Sequence, residues 1–369
     1  MPTRVDKLEF LVLVDNSIER LQKLPPGFIH ELPQHIHAPG AERDELTGLP
    51  LTRFANFCCG AHGLSILLTT TIGDKSYKVL FDAGPEHLSI DRNVQAMKTD
   101  LTDVEAIVLS HWHVDHSGGI VRALEMRQEQ AARAGKALPP LPVDVHPARP
   151  IRRGLAPPPK YIPITNWTAD PTYAEMAAAN GVAVPNDQAH EVTSAAGDST
   201  GVHVSGEIPR VHPYERGLVG AVTWMEGEDG GAGEWMTDEQ IRDERYVAVD
   251  VKGKGLVLFS ACSHAGISNV VTDAMERFDR PVHMVVGGLH LVPVEVQPVD
   301  ETVDFLVRRV QPRPDWVLPL HCTGMAPRAK LVNAFGEKCV PAGVGMKVVV
   351  DGDDAREAAL DDVDVGVVA

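Results

Sequence analysis

The sequence predicts an α/β (α+β) chain folded as an αββα sandwich, two mixed β-sheets flanked by helices. Three observations lead there. Strand-like segments gather into two halves with helical segments between them, rather than following strict strand-helix alternation. The strand-like runs are short, apolar and bounded by turn residues. The residues best suited to bind metal stand at the carboxyl ends of such runs, where open α/β sheets place their chemistry.

In chain order, residues 8–14 read as an opening strand, and residues 24–56, rich in Pro, Gly and His without periodicity, as a long packed loop. Its histidines, His30, His35 and His37, have no adjoining strand end and rank low as ligands. Residues 63–71 and 76–81 form a hairpin, 88–98 a helix, and 102–109 a turn followed by a buried strand. A helix follows from Ile120, with Gly135 as its stop. A short strand then ends at His146, a lesser ligand candidate. Residues 147–201 read as an irregular insertion whose cations Arg149, Arg152, Arg153 and Lys160 meet either an anionic substrate or solvent. A strand over 202–205 comes next, then a glycine-rich acidic loop over 225–232 that reads as mobile. Residues 246–251 and 256–261 form a second hairpin, 269–278 a helix, and 282–286 and 316–320 buried strands. Residues 1–352 thus read as one domain, and 353–369 as an acidic tail, with seven carboxylates against one arginine past Val350, expected to be disordered or solvated.

Composition narrows the function. A hydrophobic share of 44% and a charged share of 23% are ordinary for a globular chain, and no apolar run reaches the length of a membrane span. The formal charge of −17 opposes binding to nucleic acid, whose phosphates require a basic surface. Five cysteines without a CxxC pair fit a reducing compartment, and with no signal or transit peptide evident the expected location is cytoplasmic. Neither a Gly-x-Ser-x-Gly elbow nor a phosphate-binding glycine loop is present.

The chemistry concentrates in Leu109-Ser-His-Trp-His-Val-Asp-His-Ser-Gly-Gly119, where three histidines and an aspartate follow a buried strand. Imidazole and carboxylate are the ligands that Zn²⁺ and similar ions take. His111 and His113 can share one ion, while Asp115 and His116 serve a second, an arrangement suited to clamping two oxygens of one substrate. Asp82, at the end of a strand in Phe-Asp-Ala-Gly, is placed to orient a ligating histidine from behind.

This HxHxDH loop resembles the signature of the metallo-β-lactamase-fold hydrolases. Further phrases narrow the resemblance: Leu11-Val-Leu-Val-Asp-Asn16, Ala61-His-Gly-Leu-Ser65, Leu80-Phe-Asp-Ala-Gly84, Gly206-Glu-Ile-Pro-Arg210, Ala261-Cys-Ser-His-Ala-Gly266, Gly287-Gly-Leu-His290 and Pro319-Leu-His-Cys-Thr-Gly324. Together they resemble the branch of 7,8-dihydropterin-6-methyl-4-(β-D-ribofuranosyl)aminobenzene-5′-phosphate synthase-like proteins, over nearly the whole chain. The resemblance implies that His111, His113, Asp115, His116 and His321 are metal ligands. It departs where many members carry Gly-His-Thr and this chain has Gly206-Glu207-Ile-Pro, and where they end a strand in Gly-Asp and this chain has Ala261-Cys262-Ser263-His264.

His264 is the expected replacement ligand, because it follows a buried strand and needs a polar partner there. Cys262 is expected to pack behind the ligands, with coordination as a thiolate the alternative. Glu207, Arg210 and His290 are expected to contact substrate, Arg210 by forking to a phosphate or carboxylate, with metal ligation the alternative for Glu207 and a structural role the alternative for His290. The cofactor expectation is two divalent ions, Zn²⁺ first, with Mn²⁺ or Fe as alternatives. The functional expectation is a binuclear hydrolase that uses a metal-bound hydroxide on a small anionic substrate such as a phosphoester or pterin or ribosyl phosphate, with Asp115 also handling the water's proton. The alternatives are a lactonase-like carbonyl hydrolase, a di-metal oxidoreductase of the same fold, and a binding protein without turnover. No nucleic-acid or membrane partner is expected, and the oligomeric state is open.

Overall fold

Two mixed sheets lie face to face in the computed structural model, which describes residues 3–227, 233–361 and 363–368. The first sheet runs in the order Gly181–Pro185, Leu141–Val145, Val104–Val108, Lys75–Phe81, Ser65–Ile72, Lys7–Val14, Lys347–Asp351, Phe28–Ile29. Its first four strands are parallel and the remainder antiparallel. The second sheet runs His190–Thr193, Ser199–Val204, Val247–Val251, Gly255–Ser260, Val282–Gly288, Trp316–Leu320, with Arg4–Val5 added beside Val247–Val251. Here the last three strands are parallel.

Strand periodicity explains the layering. In Lys7–Val14, Leu8, Phe10 and Val12 point between the sheets, while Leu13 points to the outer helices. Phe10 meets Phe259 of the opposite sheet edge-on, with centroids 5.1 Å apart. Helices His87–Ala96 and Ile120–Arg133 cover the outer face of the first sheet through Ile90, Val94 and Leu124. Ile267–Phe278 and Met325–Phe335 cover the second through Val271 and Leu331. The expected αββα sandwich is therefore the observed fold, and its parallel strands send their carboxyl ends to one edge. No helix among the described residues is long and apolar enough to cross a membrane.

Three expectations are corrected. The region 147–201 is not an irregular insertion throughout: Gly181–Pro185 joins the first sheet, while His190–Thr193 and Ser199–Val204 join the second. Only its first part stands apart, where Arg153–Leu155 and Thr165–Asn166 complete a small antiparallel sheet with Ala221–Met225 and Glu234–Thr237. Prolines and short runs hid these strands. The loop over 24–56 contains a strand, Phe28–Ile29, and a helical turn, Glu31–Ile36, whose buried Glu31 carboxylate accepts from Arg20 Nε at 2.9 Å and the Cys58 amide at 2.6 Å. Within the glycine-rich loop over 225–232, residues 228–232 lie outside the described residues.

The acidic tail is the third correction. Asp354–Asp361 is a helix that docks by charge: Arg280 reaches Asp361 at 2.8 Å and Glu357 at 3.2 Å, and Arg4 reaches Asp361 at 2.9 Å and also pairs with Glu357. Arg280 is also paired with Asp250 at 3.1 Å, and the two side chains are 2% and 0% exposed. The tail's carboxylates thus complete the coordination of a buried cation. Beyond them, Gly366–Val367 pairs with Val310–Gln311. Removing residues 353–369 should leave Arg280 short of acceptors and lower unfolding free energy by about 1–3 kcal/mol. Urea titration of the truncated chain checks this; a freely solvated tail would leave the midpoint unchanged.

Candidate metal centre

The strand Val104–Val108 delivers a loop that turns into the short helix Val114–Ser117 and then into Ile120–Arg133. Two glycines make that path possible. A β-carbon at Gly118 would sit 2.0 Å from the Pro85 carbonyl oxygen, and one at Gly119 2.0 Å from that of Ala83. The loop is thereby pressed against the turn that follows Lys75–Phe81, the turn that carries Asp82.

Hydrogen bonds then fix each imidazole. His116 Nδ1 faces Asp82 Oδ2 at 2.8 Å, and Asp82 also accepts from the Ser110 amide at 2.7 Å and from Ser110 Oγ at 2.8 Å. Because Ser110 Oγ donates to Asp82, it accepts from His111 Nδ1, 2.9 Å away. The Nε2 atoms of His111 and His116 are left as lone pairs facing inward. His321 is held likewise: its amide donates to Asp15 Oδ1 at 2.6 Å and its Nδ1 to Asn16 Oδ1 at 2.9 Å, so its Nε2 also points inward.

The donors form overlapping groups. His111, His113 and His264 bring ring nitrogens within 4.8 Å of one another, as do the donor atoms of His111, His116 and Cys262, of Cys262, His321 and Cys322, and of His62, Asp115 and His321. His111 Nε2 and His113 Nδ1 are 2.8 Å apart, and Asp115 Oδ2 lies 3.8 Å from His116 Nε2 and 3.4 Å from His321 Nε2. His113 Nε2, both ring nitrogens of His264 and of His290, and His321 Nε2 are buried with no hydrogen-bond partner. Buried polar atoms are almost always satisfied, so such a convergence of bare lone pairs fits cations.

Electrostatics agrees with that chemistry at His111, His113 and His264, while His116 is held toward its protonated form. Burial, reinforced by the neighbouring Arg153, pushes the His113 imidazole down to about 3, and burial together with the other histidines holds His111 and His264 well below the usual range. These rings are therefore neutral, the form that ligates metal. For His116 burial opposes the charge, yet Asp115 and Asp82 outweigh it and raise the group to about 9. Burial also opposes the Asp115 carboxylate, but His116 and His321 overcome it and keep Asp115 well below the ordinary carboxylate range.

Three adjacent charged residues, which sequence reasoning missed, brace this assembly. Asp243 accepts from the Trp112 amide at 2.7 Å and from Arg153 Nη2 at 2.5 Å, and Arg153 Nη1 donates to the Trp112 carbonyl at 2.7 Å. Glu244 accepts from the amides of His264 and Ala265 at 2.8 and 2.6 Å, and burial pushes its carboxyl up to about 7. Arg245 donates to the Leu109 carbonyl at 2.6 Å and to Asp144 at 2.5 Å.

The donors floor a cavity of about 380 Å³ whose walls include Pro85, Val114, Leu155, Trp167 and Leu218. His62, Cys322 and Trp167 join it without having been singled out; His62 and Cys322 do lie in the quoted phrases around residues 61–65 and 319–324, but Trp167 carries no signal in its neighbours. His290 lines the cavity, as expected of a substrate contact, with its ring 4.5 Å from that of His264. Cys262 is buried, as a packed thiol would be, and it also lines the cavity, with its sulfur 3.3 Å from His116 Nε2.

Glu207 and Arg210 are corrections. Glu207 is 60% exposed and pairs with Arg242 at 3.3 Å, while Arg210 donates to the carbonyls of His264, at 3.2 Å, and Gln240. Arg210 thus supports the backbone behind His264 instead of facing substrate. His146 accepts from the Ala148 amide at 3.2 Å on Nδ1 and holds Trp112 Nε1 at 2.7 Å with its carbonyl, so its ring is no donor to the cavity. His30 and His35 are used by Gln22 and Glu31, and His37 is exposed. Among the cations of 147–201, Arg153 is a buried clamp and Arg149 binds the carbonyls of Asp170 and Pro171. A separate hollow of about 530 Å³, beside helix His87–Ala96, contains none of the clustered donors.

Comparison with known proteins agrees with this architecture. Residues 62–170 match the family model of the metallo-beta-lactamase superfamily, a segment that begins at His62 and contains the whole histidine loop. An uncharacterized protein of Methanocaldococcus jannaschii is 25% identical over 270 residues, 73% of this chain and 87% of that protein. The 7,8-dihydropterin-6-methyl-4-(β-D-ribofuranosyl)-aminobenzene-5′-phosphate synthase of the same organism is 22% identical over 281 residues, 75% of this chain and 85% of that enzyme. A crystal structure described as a metal-dependent hydrolase of the β-lactamase superfamily superposes with a TM-score of 0.62 at 19% identity, covering 93% of this chain and 99% of that one. The whole histidine loop thus lies inside the segment that matches the metallo-beta-lactamase superfamily model, and the αββα sandwich surrounds it.

Proposed function

We propose that the protein is a binuclear metal-dependent hydrolase of a small anionic ester, a phosphoester or a pterin or ribosyl phosphate. One observation carries the reading: buried, inward-facing imidazole nitrogens without protein partners converge on the floor of a single cavity. His111, His113 and His264 would hold one divalent ion, and Asp115, His116 and His321 a second, with Zn²⁺ favoured by the nitrogen-rich donor set. Bound there, such ions supply Lewis acidity and bring a water's pKa toward neutrality.

The chain's own groups do the rest. Asp115, ionised and 23% exposed, can orient the attacking water and take its proton at Oδ2. His62 Nε2 stands 3.6 Å from that oxygen and its side chain is 72% exposed, which gives the proton a route to solvent. Trp167, with its ring centroid 5.3 Å from that of His113, offers a flat apolar wall for the body of the substrate. A volume near 380 Å³ suits a small molecule rather than a polymer.

Among the described residues that line the cavity none is lysine or arginine. An anionic group would therefore be met by the ions and not by side chains, and this same observation favours a second reading, hydrolysis of an uncharged carbonyl ester such as a lactone. An oxidoreductase is less favoured, because Asp115 is the single carboxylate among those lining residues.

Metal-loaded protein should hydrolyse a member of a panel of phosphomonoesters, phosphodiesters and lactones, and His113→Ala and Asp115→Ala should each lower kcat/KM by about 100-fold or more. Turnover of no panel member by protein carrying two ions would overturn the reading. Asp82→Asn should weaken metal affinity about 10- to 100-fold, measured by competition with a chromogenic chelator, since it loosens His116. Trp167→Ala should raise KM about 3- to 10-fold while kcat stays near its original value. A fall in kcat alone would place the indole elsewhere in the reaction.

A further inference from the structure

Two thiols meet at the floor of the cavity. Cys262 lies just past the strand Gly255–Ser260, and Cys322 follows the strand Trp316–Leu320 in the adjoining turn. Their sulfurs are 3.3 Å apart, far beyond the ~2.05 Å of a disulfide and close to the ~3.8 Å edge expected between two thiolates on one tetrahedral zinc with bonds near 2.3 Å. His321 Nε2, buried and without a hydrogen-bond partner, completes a set whose donor atoms all lie within 4.8 Å of one another. His116 Nε2 stands 3.3 Å from the Cys262 sulfur on the other side. Room for this arrangement is made by Gly288, where a β-carbon would come within 2.6 Å of the Cys322 sulfur.

We infer that Cys262 and Cys322 both enter the coordination of the second ion with His321, making it a soft site that selects a thiophilic divalent cation. The inference rests on the binuclear reading above and changes its chemistry. Sulfur donors favour Zn²⁺, Co²⁺ or Cd²⁺ over Mn²⁺ and Mg²⁺, whereas the group of His111, His113 and His264 is all nitrogen. The two positions therefore differ in kind. Neither thiol is a bystander: one sulfur comes from each of two strand ends, so the ion ties those ends together.

Co²⁺ loading of reduced, chelator-stripped full-length protein tests this without reference to activity. The loaded protein should show a near-ultraviolet thiolate-to-Co²⁺ charge-transfer band that falls by about half in Cys262→Ser and in Cys322→Ser and vanishes in the double variant. Visible ligand-field bands from the histidine group should persist in all three. Uptake of two Co²⁺ ions with no such band, or a band indifferent to Cys322→Ser, would overturn the inference and leave the binuclear reading standing. Failure to take up any Co²⁺ would overturn both. The unmodified protein gives a check free of folding effects: alkylation of native protein should label the partly exposed Cys322 after chelation and spare it when Co²⁺ is bound, with Cys59 labelled equally in each state. Equal labelling of Cys322 in the two states would also overturn it.

Discussion

Three consecutive buried charges, Asp243, Glu244 and Arg245, hold the site's loops in place. They are 2%, 2% and 1% exposed, and each grips a different element. Asp243 fixes the backbone between His111 and His113, Glu244 the amides at His264 and Ala265, and Arg245 the carbonyl that ends the strand before the loop. Buried charges are costly unless fully partnered, and removing one member of such a set leaves the others unpaired. The segment lies just ahead of Val247–Val251, so it carries the register of the second sheet into loops of the first. Donors from the two sheets meet because this stretch allows their loops few other arrangements.

Local backbone strain falls in the same places. Asp82, Ser263, His290 and His321 are non-glycine residues with φ of 57°, 61°, 45° and 40°, and each follows a strand of the sandwich closely. Left-handed conformations cost such residues free energy and persist only where the surroundings impose them. At His321 the imposing groups are Asp15 and Asn16, from the end of Lys7–Val14 in the opposite sheet. The left-handed turn swings the imidazole across the strand ends, out of the alternation an extended chain would enforce. Strain is thus spent on aiming donors, and the core between the sheets, where Phe10 packs on Phe259, supports it.

Much of this was legible in the sequence because it is local. The HxHxDH loop, the apolar strands before His111, His264 and His321, and the carboxylate at Asp82 are each visible in a short window. What could not be read depends on distant pairings. Asp243 and Arg153 are separated by 90 residues, and Asn16 and His321 by 305, so no window contains both members. Arg210 looked like an anion fork because its targets, backbone carbonyls, leave no mark in a sequence. The tail misled for a related reason. Its seven carboxylates read as solvated, yet two of them, Glu357 and Asp361, pair with Arg4 and Arg280, far off in sequence.

Charge decides where a substrate's reacting oxygen settles. A chain of net charge −17 repels small anions at long range, and the cavity's described lining residues include no lysine or arginine to reverse that field. Under the proposed binuclear reading, attraction would come from cations held on the floor, and the two donor groups would treat a cation differently. The neutral imidazoles of His111, His113 and His264 leave its charge intact. The carboxylate of Asp115, with two thiolates beside it, would more than cancel it. Under the proposed binuclear reading, an ester oxygen gaining negative charge would be best stabilised on the histidine side, near Trp167, whose ring meets that of His113 edge-on. The sulfur and carboxylate side would then be left to place the water, with Asp115 and His62 on the way out to solvent.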